Sequence, residues 1–492
     1  MTSYLPCSVY LLSAGPGDPS LVPLKTIDIL RLVDVVLYDY LAHPSLLKYC
    51  KRDPVLMCVG KRKGEHSVQQ SNILEIIYDF VSQGKVVARL KGGDALTFSR
   101  GGEEIDFLNS HNISYDCVPG VSAFNGVLGD LGIPMTHRDN VRSVALLSAS
   151  LKDSDFSGVV KIPHVDTLVF FMVMTHVELV LERLREEVPH ISDQTPVMVV
   201  SSGTLSNEKI ITGTVSSISS LINDDILVSP VLMLVGENVS YYDSAKRLDR
   251  RPLSGQRVWV FRQDSDQDAY RVPLTLQGAE VIGMPLISIE PIEGAKYYSR
   301  SELDHADTII FSSSNGVRCF FKWLSDNRYD VRLLAQKTCC CIGAMTAQTL
   351  ASFGLFSDYT PSHSSSEGFI ADFPFDMEQI NALLPIAEKG RRVIADEIVA
   401  AGGNVTVWPI YETKSTLPVD YPLRPDDVFV FSSPSVVDVF FRKYCELPDG
   451  GIAIAFGSFT ADALKEKGVE HILQLDSPSP DALVKLLKEH LK

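Results

Sequence analysis

Short apolar runs alternate with longer amphipathic stretches along the whole chain, and this alternation restricts the fold more than any other feature. Apolar runs in the first half include residues 9–13, 33–38, 86–90 and 143–148. Amphipathic, helix-like stretches include residues 20–32 and 71–83. Strands interleaved with helices favour parallel sheets covered by helices. We therefore predict an α/β fold in which ligands bind at the carboxyl ends of the strands.

Several classes of protein are excluded by composition and charge. The longest apolar runs, such as residues 167–174, are far shorter than the roughly 20 residues that span a bilayer. The N-terminus shows no secretion signal, so we expect a cytoplasmic protein without a membrane partner. The net charge is −16 and neither half is basic, which makes nucleic acid a poor partner.

The nine cysteines form no Cys-x-x-Cys pair and no cluster with zinc spacing, so we expect no metal site. Free thiols in this number fit a reducing compartment. Cys339, Cys340 and Cys341 lie in an apolar run, and we interpret them as small buried residues of a strand.

Two halves of the chain meet near residues 244–256. Residues 244–253 are charged, weakly periodic and interrupted by a proline, which is typical of a linker. A new strand pattern follows at residues 257–261. The sequence thus predicts that a second domain begins there.

The second half contains an internal repeat. Residues 311–317 form a strand end with a Ser-rich turn, and residues 342–350 contain Gly-x-x-Thr-Ala; residues 431–437 and 456–464 repeat this order. The pattern predicts two similar α/β lobes that face each other across a cleft.

The first half carries several glycine turns at predicted strand ends. Gly15-Pro16-Gly17, Gly92-Gly93-Asp94 and Pro119-Gly120-Val121-Ser122-Ala123 each follow an apolar run. Together they predict a crevice lined by backbone. Pro16 removes an amide donor, and no Gly-x-Gly-x-x-Gly with a following acidic residue occurs, so the dinucleotide-binding fingerprint is missing.

These motifs resemble those of uroporphyrinogen-III C-methyltransferase, a tetrapyrrole methylase. The resemblance covers about residues 7–240, and its motifs occur in the family's order. It rests on residues 14–19, 59–62, 89–94, 100–104, 118–123 and 132–138, with His66-Ser67-Val68 and the Gly-Gly-Glu-Glu run pointing to the uroporphyrinogen branch.

The resemblance implies two α/β subdomains that bind S-adenosylmethionine between them. It places the cofactor site at Pro16, Gly92, Gly93, Asp94, Thr97, Ser122, Ala123, Met172 and Gly203. It places an acid/base pair at Asp39 and Lys61, and Asp39 follows an apolar strand, where a carboxylate is well positioned for proton transfer. A binding or structural role for Asp39 remains equally open.

The substrate of that family carries eight carboxylates. We predict that Arg62, Arg100 and Arg138 bind some of them, and that Arg89, Lys91 and Arg142 contribute. The alternative for each basic residue taken singly is a solvated surface position. Their clustering near the glycine turns favours binding.

Residues 256–492 resemble uroporphyrinogen-III synthase, a family that closes hydroxymethylbilane with inversion of ring D. Tyr411 matches a family tyrosine thought to assist departure of the hydroxyl group. At the predicted strand-to-helix turns, hydroxyls either bind substrate carboxylates or simply cap helices. These residues are Ser312, Ser313, Thr346, Ser432, Ser433 and Thr460.

The sequence therefore predicts a bifunctional enzyme that cyclises hydroxymethylbilane to uroporphyrinogen III and then methylates it twice to precorrin-2. The expected boundaries are a methyltransferase over 1–245 with subdomains of about 1–140 and 141–245, a linker over 246–255, and a synthase over 256–492. Its lobe A takes about 256–290 plus 414–492, and its lobe B about 291–413. A homodimer is implied by the first family. Because the dinucleotide-binding fingerprint is missing, we expect neither an NAD-dependent precorrin-2 dehydrogenase nor a ferrochelatase in this chain.

Three alternatives stay open at this point. In the first alternative, the second half is an inactive binding module. In the second, the first half methylates a later corrinoid. In the third, the chain is a two-lobed binding protein without enzymatic activity. The dense methylase motifs argue against the last.

Overall fold

The computed structural model describes residues 5–491 except 52–53, 61–69, 150–160, 223–226, 263, 293–297, 364 and 416–420. The described chain contains four five-stranded sheets and divides into two compact units. The first unit comprises Met1–Met284, Val419–Val437 and Tyr444–Lys492, and the second comprises Pro285–Pro418 and Asp438–Lys443. No described helix combines the length and apolar character needed to cross a membrane.

The first sheet is parallel throughout, with strand order β3-β2-β4-β1-β5. Its strands are Val9–Ser13 (β1), Val35–Tyr38 (β2), Val55–Cys58 (β3), Val87–Lys91 (β4) and Tyr115–Val118 (β5). Helices Leu24–Leu30 (α1), Gln70–Ser82 (α2) and Gly101–Ser110 (α3) accompany it. Alternate residues of β1 enter two different hydrophobic clusters, so both faces of the sheet are buried.

The helix expected over residues 20–32 is shorter in the structure. A 3-10 turn covers Pro19–Leu21, Val22 is extended, and α1 begins after Pro23. The cause is local, because a residue that precedes proline is disfavoured in the helical region.

The second sheet follows helix Ala123–Asp130 (α4) and has the order β6-β7-β10-β8-β9. Its strands are Val144–Ser148 (β6), Thr167–Phe171 (β7), Pro196–Ser201 (β8), Lys209–Thr214 (β9) and Val231–Val235 (β10), with helices Val177–Glu187 (α5) and Ile218–Leu221 (α6). Only β6 and β7 pair in parallel. The expectation of parallel sheets is therefore wrong here, since the short connection over residues 202–208 returns the chain as an antiparallel hairpin.

The segment expected to be a linker is partly helical, with Ser244–Arg250 forming α7. Arg247 pairs with Asp130 and Glu208, and Arg251 pairs with Asp130. These ion pairs hold α7 against the domain that precedes it, so this segment is not a free tether.

The remaining strands are Arg257–Val260 (β11), Glu280–Gly283 (β12), Ile287–Pro291 (β13), Thr308–Phe311 (β14), Thr338–Cys341 (β15), Asn381–Ala387 (β16), Asn404–Ser415 (β17), Val428–Phe431 (β18), Ile452–Ala455 (β19) and Ile472–Gln474 (β20). The remaining helices are Asp264–Leu276 (α8), Arg300–His305 (α9), Ser314–Asp326 (α10), Ala344–Ser352 (α11), Ser366–Ala371 (α12), Val393–Ala400 (α13), Pro434–Tyr444 (α14), Ser458–Glu466 (α15) and Pro480–His490 (α16).

These strands form two further sheets. The sheet of the first unit is parallel, in the order β12-β11-β18-β19-β20. The sheet of the second unit has the order β13-β17-β16-β14-β15, and only its edge strand β13 is antiparallel to its neighbour.

The internal repeat is confirmed, because two neighbouring strands of each of these sheets belong to a segment in which strand, helix, strand and helix follow in the same order. The two copies are β14-α10-β15-α11 and β18-α14-β19-α15. The interpretation of the cysteine triplet is also confirmed, since Cys339, Cys340 and Cys341 are buried in β15. Burial raises the pKa of the Cys339 and Cys340 thiols to about 12.

Candidate functional site

Helix α4 lies where the glycine turns of the first half meet. A Cβ on Gly93 would lie 3.9 Å from the Ala123 amide nitrogen, and one on Gly126 would lie 2.5 Å from Pro16 Cγ. A Cβ on Gly203 would lie 2.5 Å from a methyl of Val127. The structure thus brings three of the turns predicted to bind cofactor against successive positions of one helix.

Asp94 ties two of these turns together. One carboxylate oxygen accepts hydrogen bonds from the Leu96 amide at 3.0 Å and the Thr97 hydroxyl at 2.9 Å. The other accepts from the Gly120 amide at 2.8 Å. Because both carboxylate oxygens accept hydrogen bonds from neighbouring turns, Asp94 fixes the conformation of the turn that carries Gly92 and Gly93.

Ser13 at the end of β1 is a residue of this site that the sequence reasoning missed. Its hydroxyl donates to the Val118 carbonyl and accepts from the Ala95 amide, at 2.7 Å and 2.9 Å. A Cβ on Gly120 would lie 2.2 Å from Ser13 Cβ, so only glycine fits there. The signal for it was a polar residue at the end of an otherwise apolar strand.

Backbone strain concentrates around the same turns. Five of the nine non-glycine residues with positive φ in the described chain occur here. They are Phe98, Arg100, Met172, Ser202 and Thr204, with φ between 51° and 69°. Such conformations persist where the surrounding structure enforces them, and they are frequent at functional sites.

Met172 is 47% exposed, and the residue before it, Phe171, stacks obliquely on Phe98 with ring centroids 4.8 Å apart. This aromatic contact joins the loop that follows Thr97 to the end of β7. Nothing in the sequence marked Phe98 as part of the site.

The predicted base, Asp39, follows β2 and contacts a buried cluster of charges. The Arg89 guanidinium donates to its Oδ1, and Arg89 Nε also donates to Glu104 at 3.2 Å. Lys91 donates to the same Glu104 oxygen at 2.8 Å. The Asp39 side chain is 26% exposed, whereas those of Arg89, Lys91 and Glu104 are at most 3% exposed.

The expectation that Arg89 and Lys91 bind substrate is therefore wrong. Both point from β4 into the face covered by α3, where one oxygen of Glu104 accepts hydrogen bonds from each of them. Burial is the largest influence on Lys91 and lowers the pKa of its ammonium despite the neighbouring Glu104 carboxylate.

The remaining basic candidates are placed differently. Arg100 is exposed and binds Glu103 through two nitrogens. Arg138 and Arg142 lie exposed in the turn before β6, and neither makes an ion pair with another described residue. Lys61 and Arg62 fall outside the described residues. Gly60, directly before them, packs on the strand end that carries Asp39, since a Cβ there would lie 2.2 Å from the Tyr40 amide nitrogen.

The turns fit a ligand held largely by backbone groups. Gly93 has φ +68°, and the position of its missing Cβ is open except for the Ala123 amide. Ser122 does not cap α4 with its side chain, which leaves amides of the first helical turn as donors. Exposed apolar side chains of Leu41, Leu96 and Met172 lie on the loops around these turns.

In the second unit, the structure brings Tyr411 and Ser313 together. The two hydroxyl oxygens are 3.0 Å apart, and the Ser313 hydroxyl accepts from the Gly316 amide as the cap of α10. Tyr411 is only 7% exposed. Burial raises the pKa of its hydroxyl, and the hydrogen bond to Ser313 offsets this only in part.

The other five hydroxyl residues that the sequence placed at strand-to-helix turns of the second half fall into three groups. Thr346 and Thr460 lie inside the first turns of α11 and α15 and are buried, so they do not cap these helices. Ser432 donates to the Phe261 carbonyl. Ser312 and Ser433 are half-buried at the turns after β14 and β18. Ser313 alone among these six caps a helix through its side chain.

Two family models match the chain. Residues 8–219 match the Tetrapyrrole (Corrin/Porphyrin) Methylases, and residues 268–485 match Uroporphyrinogen-III synthase HemD. The chain thus joins a tetrapyrrole methylase domain to a uroporphyrinogen-III synthase domain. No group of three or more described His, Cys, Asp or Glu residues is arranged to hold a metal ion.

Some similar proteins match about half of the chain, and one matches nearly all of it. A siroheme synthase of Pseudomonas aeruginosa is 41% identical, covering 48% of this chain and 50% of that protein, so the chain spans about half the length of this relative. The porphyrin biosynthesis protein HemD of Ruminiclostridium josui is 27% identical, covering 98% of this chain and 97% of that protein.

Among solved structures, the uroporphyrin-III C-methyl transferase of Thermus thermophilus complexed with S-adenyl homocysteine is 29% identical. The match covers 48% of this chain and 99% of the Thermus thermophilus chain, with a TM-score of 0.42.

Proposed function

We propose that the chain is a bifunctional enzyme of tetrapyrrole synthesis. Its methylase domain transfers two methyl groups from S-adenosylmethionine to C2 and C7 of uroporphyrinogen III and forms precorrin-2. Its synthase domain forms uroporphyrinogen III from hydroxymethylbilane. The observation that carries the first assignment is the meeting of the Gly15, Gly93 and Gly203 turns at α4, within the range of the methylase match.

The cofactor site would be formed by the backbone of Gly92 and Gly93, the first turn of α4 at Ser122 and Ala123, and the loops that carry Pro16, Met172 and Gly203. Asp94 shapes this site from within, because its carboxylate accepts hydrogen bonds from both Thr97 and Gly120. S-adenosylmethionine supplies an electrophilic sulfonium methyl group when it is bound. The protein contributes mainly by holding the two reactants in line.

Asp39 is the proposed acceptor of the proton that leaves the macrocycle after methylation. Arg89 fixes one of its oxygens, and the other makes no hydrogen bond to a described residue. The partly exposed carboxylate can therefore meet a substrate while its buried partner keeps it oriented. Lys61 is the proposed proton donor or carboxylate ligand.

For the synthase domain, Tyr411 is the proposed group that assists loss of the hydroxyl from hydroxymethylbilane. Like tyrosines generally, it is protonated at neutral pH and can act as a donor. Ser313 would orient it.

Incubation of the full chain with hydroxymethylbilane and S-adenosylmethionine tests both halves. We expect a dimethylated dipyrrocorphin and two molecules of S-adenosylhomocysteine per turnover. Failure to methylate either hydroxymethylbilane-derived product or supplied uroporphyrinogen III would overturn the methyltransferase assignment.

The same assay separates the main alternative. A chain that methylates supplied uroporphyrinogen III, but lets hydroxymethylbilane close only to the type I isomer, would have a synthase domain that serves as a binding module. The name of the Pseudomonas relative favours siroheme as the pathway destination.

A further inference from the structure

The loop between β8 and β9, residues 202–208, reaches the proposed cofactor site through Thr204. The Thr204 hydroxyl donates to the Pro16 carbonyl at 3.1 Å and accepts from the Asp18 amide at 2.9 Å. A Cβ on Gly17 would lie 2.6 Å from this hydroxyl. The conformation of the loop therefore sets the position of the Gly15–Asp18 turn.

This loop is held on its far side by Glu280, which is the first residue of β12 and belongs to the synthase domain. Glu280 Oε2 accepts from the Ser206 amide at 2.8 Å and from the Ser206 hydroxyl at 2.6 Å. Arg424 of the same domain donates to the Ser206 hydroxyl at 3.2 Å. The two domains thus share a polar contact at Ser206, two residues after Thr204 in the chain.

The Glu280 carboxylate is buried in this contact, with a side-chain exposure of 2%. His43 Nε2, from the methylase domain, lies 3.6 Å from its other oxygen and is equally buried. Arg424 places a guanidinium nitrogen 3.6 Å from Oε2. A buried carboxylate between two basic groups and two donors is fixed in place, because any movement leaves charges unpaired.

Close packing does not hold the loop on this side. A cavity of about 330 Å³ is lined by Thr204, Leu205, Ser206 and Glu280, together with Arg247 of α7 and Arg251 directly after it. Because space adjoins the loop, its strained positive-φ conformation at Ser202 and Thr204 depends on polar contacts. Those contacts include the two hydrogen bonds that Glu280 accepts from Ser206. Glu208 also accepts from the Thr204 amide at 2.9 Å, and the Asn207 side chain donates to the Ser202 hydroxyl at 3.2 Å.

We propose that Glu280 of the synthase domain is a positioning residue for the cofactor site of the methylase domain, and that it acts through Ser206 and Thr204 on the Gly15–Asp18 turn. The synthase domain is then a structural part of the methyltransferase. This inference rests on the proposed function, since it assumes that the turn binds S-adenosylmethionine.

The test measures binding of S-adenosylhomocysteine to the full chain by calorimetry, with KM for S-adenosylmethionine and kcat measured alongside. Glu280→Ala should weaken binding at least about fivefold and raise KM in parallel, with kcat at saturating cofactor within about twofold of wild type. Glu280→Gln retains an acceptor for Ser206 and should largely restore affinity. Arg251→Gln, which alters the same cavity without touching the loop, should leave both unchanged.

Ser206→Ala keeps the test decisive if Glu280→Ala does not fold. It removes one of the two hydrogen bonds and should weaken binding about threefold. Wild-type affinity in folded Ser206→Ala and Glu280→Ala, or equal weakening by Arg251→Gln, would overturn the positioning role alone. A wild-type chain that takes up no S-adenosylhomocysteine would instead overturn the proposed function, and this inference with it.

Discussion

The Arg89 guanidinium donates through Nη2 to one oxygen of Asp39 and through Nε to Glu104 of α3, so a single side chain joins the two carboxylates. Asp39 alone in this charged cluster is appreciably exposed. The buried cluster therefore presents one oriented carboxylate at the end of β2. Its net charge is balanced, with two carboxylates against Arg89 and Lys91.

Replacement of Arg89 by Met should lower methyl transfer more than replacement of Lys91 by Met. Both variants remove one buried positive charge next to Glu104, and each should cost about 3–5 kcal/mol of stability. Only the first releases Asp39, so its kcat should fall roughly tenfold or more below that of the second. Steady-state kinetics at a temperature where both remain folded check this.

Equal kcat values for the two variants would show that Asp39 needs no orientation by Arg89. If Arg89→Met is too unstable to assay, combining it with Glu104→Gln restores neutrality of the cluster and allows the same comparison.

Gly93 and Gly84 provide a matched pair for the cofactor site. Both have positive φ, at +68° and +73°, and neither would place a Cβ in a clash. Alanine at either position should cost about 1 kcal/mol from backbone strain. Only at Gly93 does the methyl group enter the space beside the Ala123 amide.

We therefore expect Gly93→Ala to weaken S-adenosylhomocysteine binding about tenfold and Gly84→Ala to leave it unchanged, as measured by calorimetry. Similar affinities in both variants would place the ligand elsewhere.

Local patterns predicted the positions of the glycine turns, because each follows an apolar strand and precedes a helix. They also predicted the internal repeat of the second half, since both copies keep the same order of elements. The parallel strands β1 and β4 carry their turns to one edge of the first sheet, which is why the Pro16 and Gly93 turns both reach α4.

Long-range pairing could not be predicted in the same way. Lys91 resembles a substrate ligand in the sequence because it adjoins a glycine turn, and only the fold shows that Glu104 of α3 covers it. The contact between Ser206 and Glu280 joins two domains and leaves no periodic trace in the sequence.

Glu280 should give the chain an acid-dependent stability. Burial alone would raise the pKa of its carboxyl, but His43 and the donors of Ser206 outweigh burial and lower that pKa from 4.5 to about 2. A lowered pKa means that the stabilisation is fully present above pH 4.5 and is lost as the pH falls from 4.5 towards 2.

Subtracting the free energy of unfolding of Glu280→Gln from that of wild type at each pH isolates the contribution of Glu280, because the other carboxyl groups are the same in both proteins. We expect the difference to be constant above about pH 5 and to shrink by about 3 kcal/mol by pH 2. Urea titrations at several pH values measure it. A difference that does not change over this range would show that the carboxylate is not stabilised by its neighbours.

Tyr411 and Tyr298 allow a catalytic role in the synthase domain to be separated from a structural one. Both belong to or pack against the same hydrophobic cluster, and each hydroxyl makes one hydrogen bond, to Ser313 at 3.0 Å and to the Pro409 carbonyl at 2.9 Å respectively. Phenylalanine at either position should cost about 1 kcal/mol of stability.

Tyr411→Phe should slow formation of uroporphyrinogen III roughly tenfold or more, because it removes the proposed proton donor. Tyr298→Phe should leave that rate nearly unchanged in the same coupled assay. Equal rates in the two variants would assign the Tyr411 hydroxyl to the support of the α10 cap, because the structure joins it to Ser313 in either case.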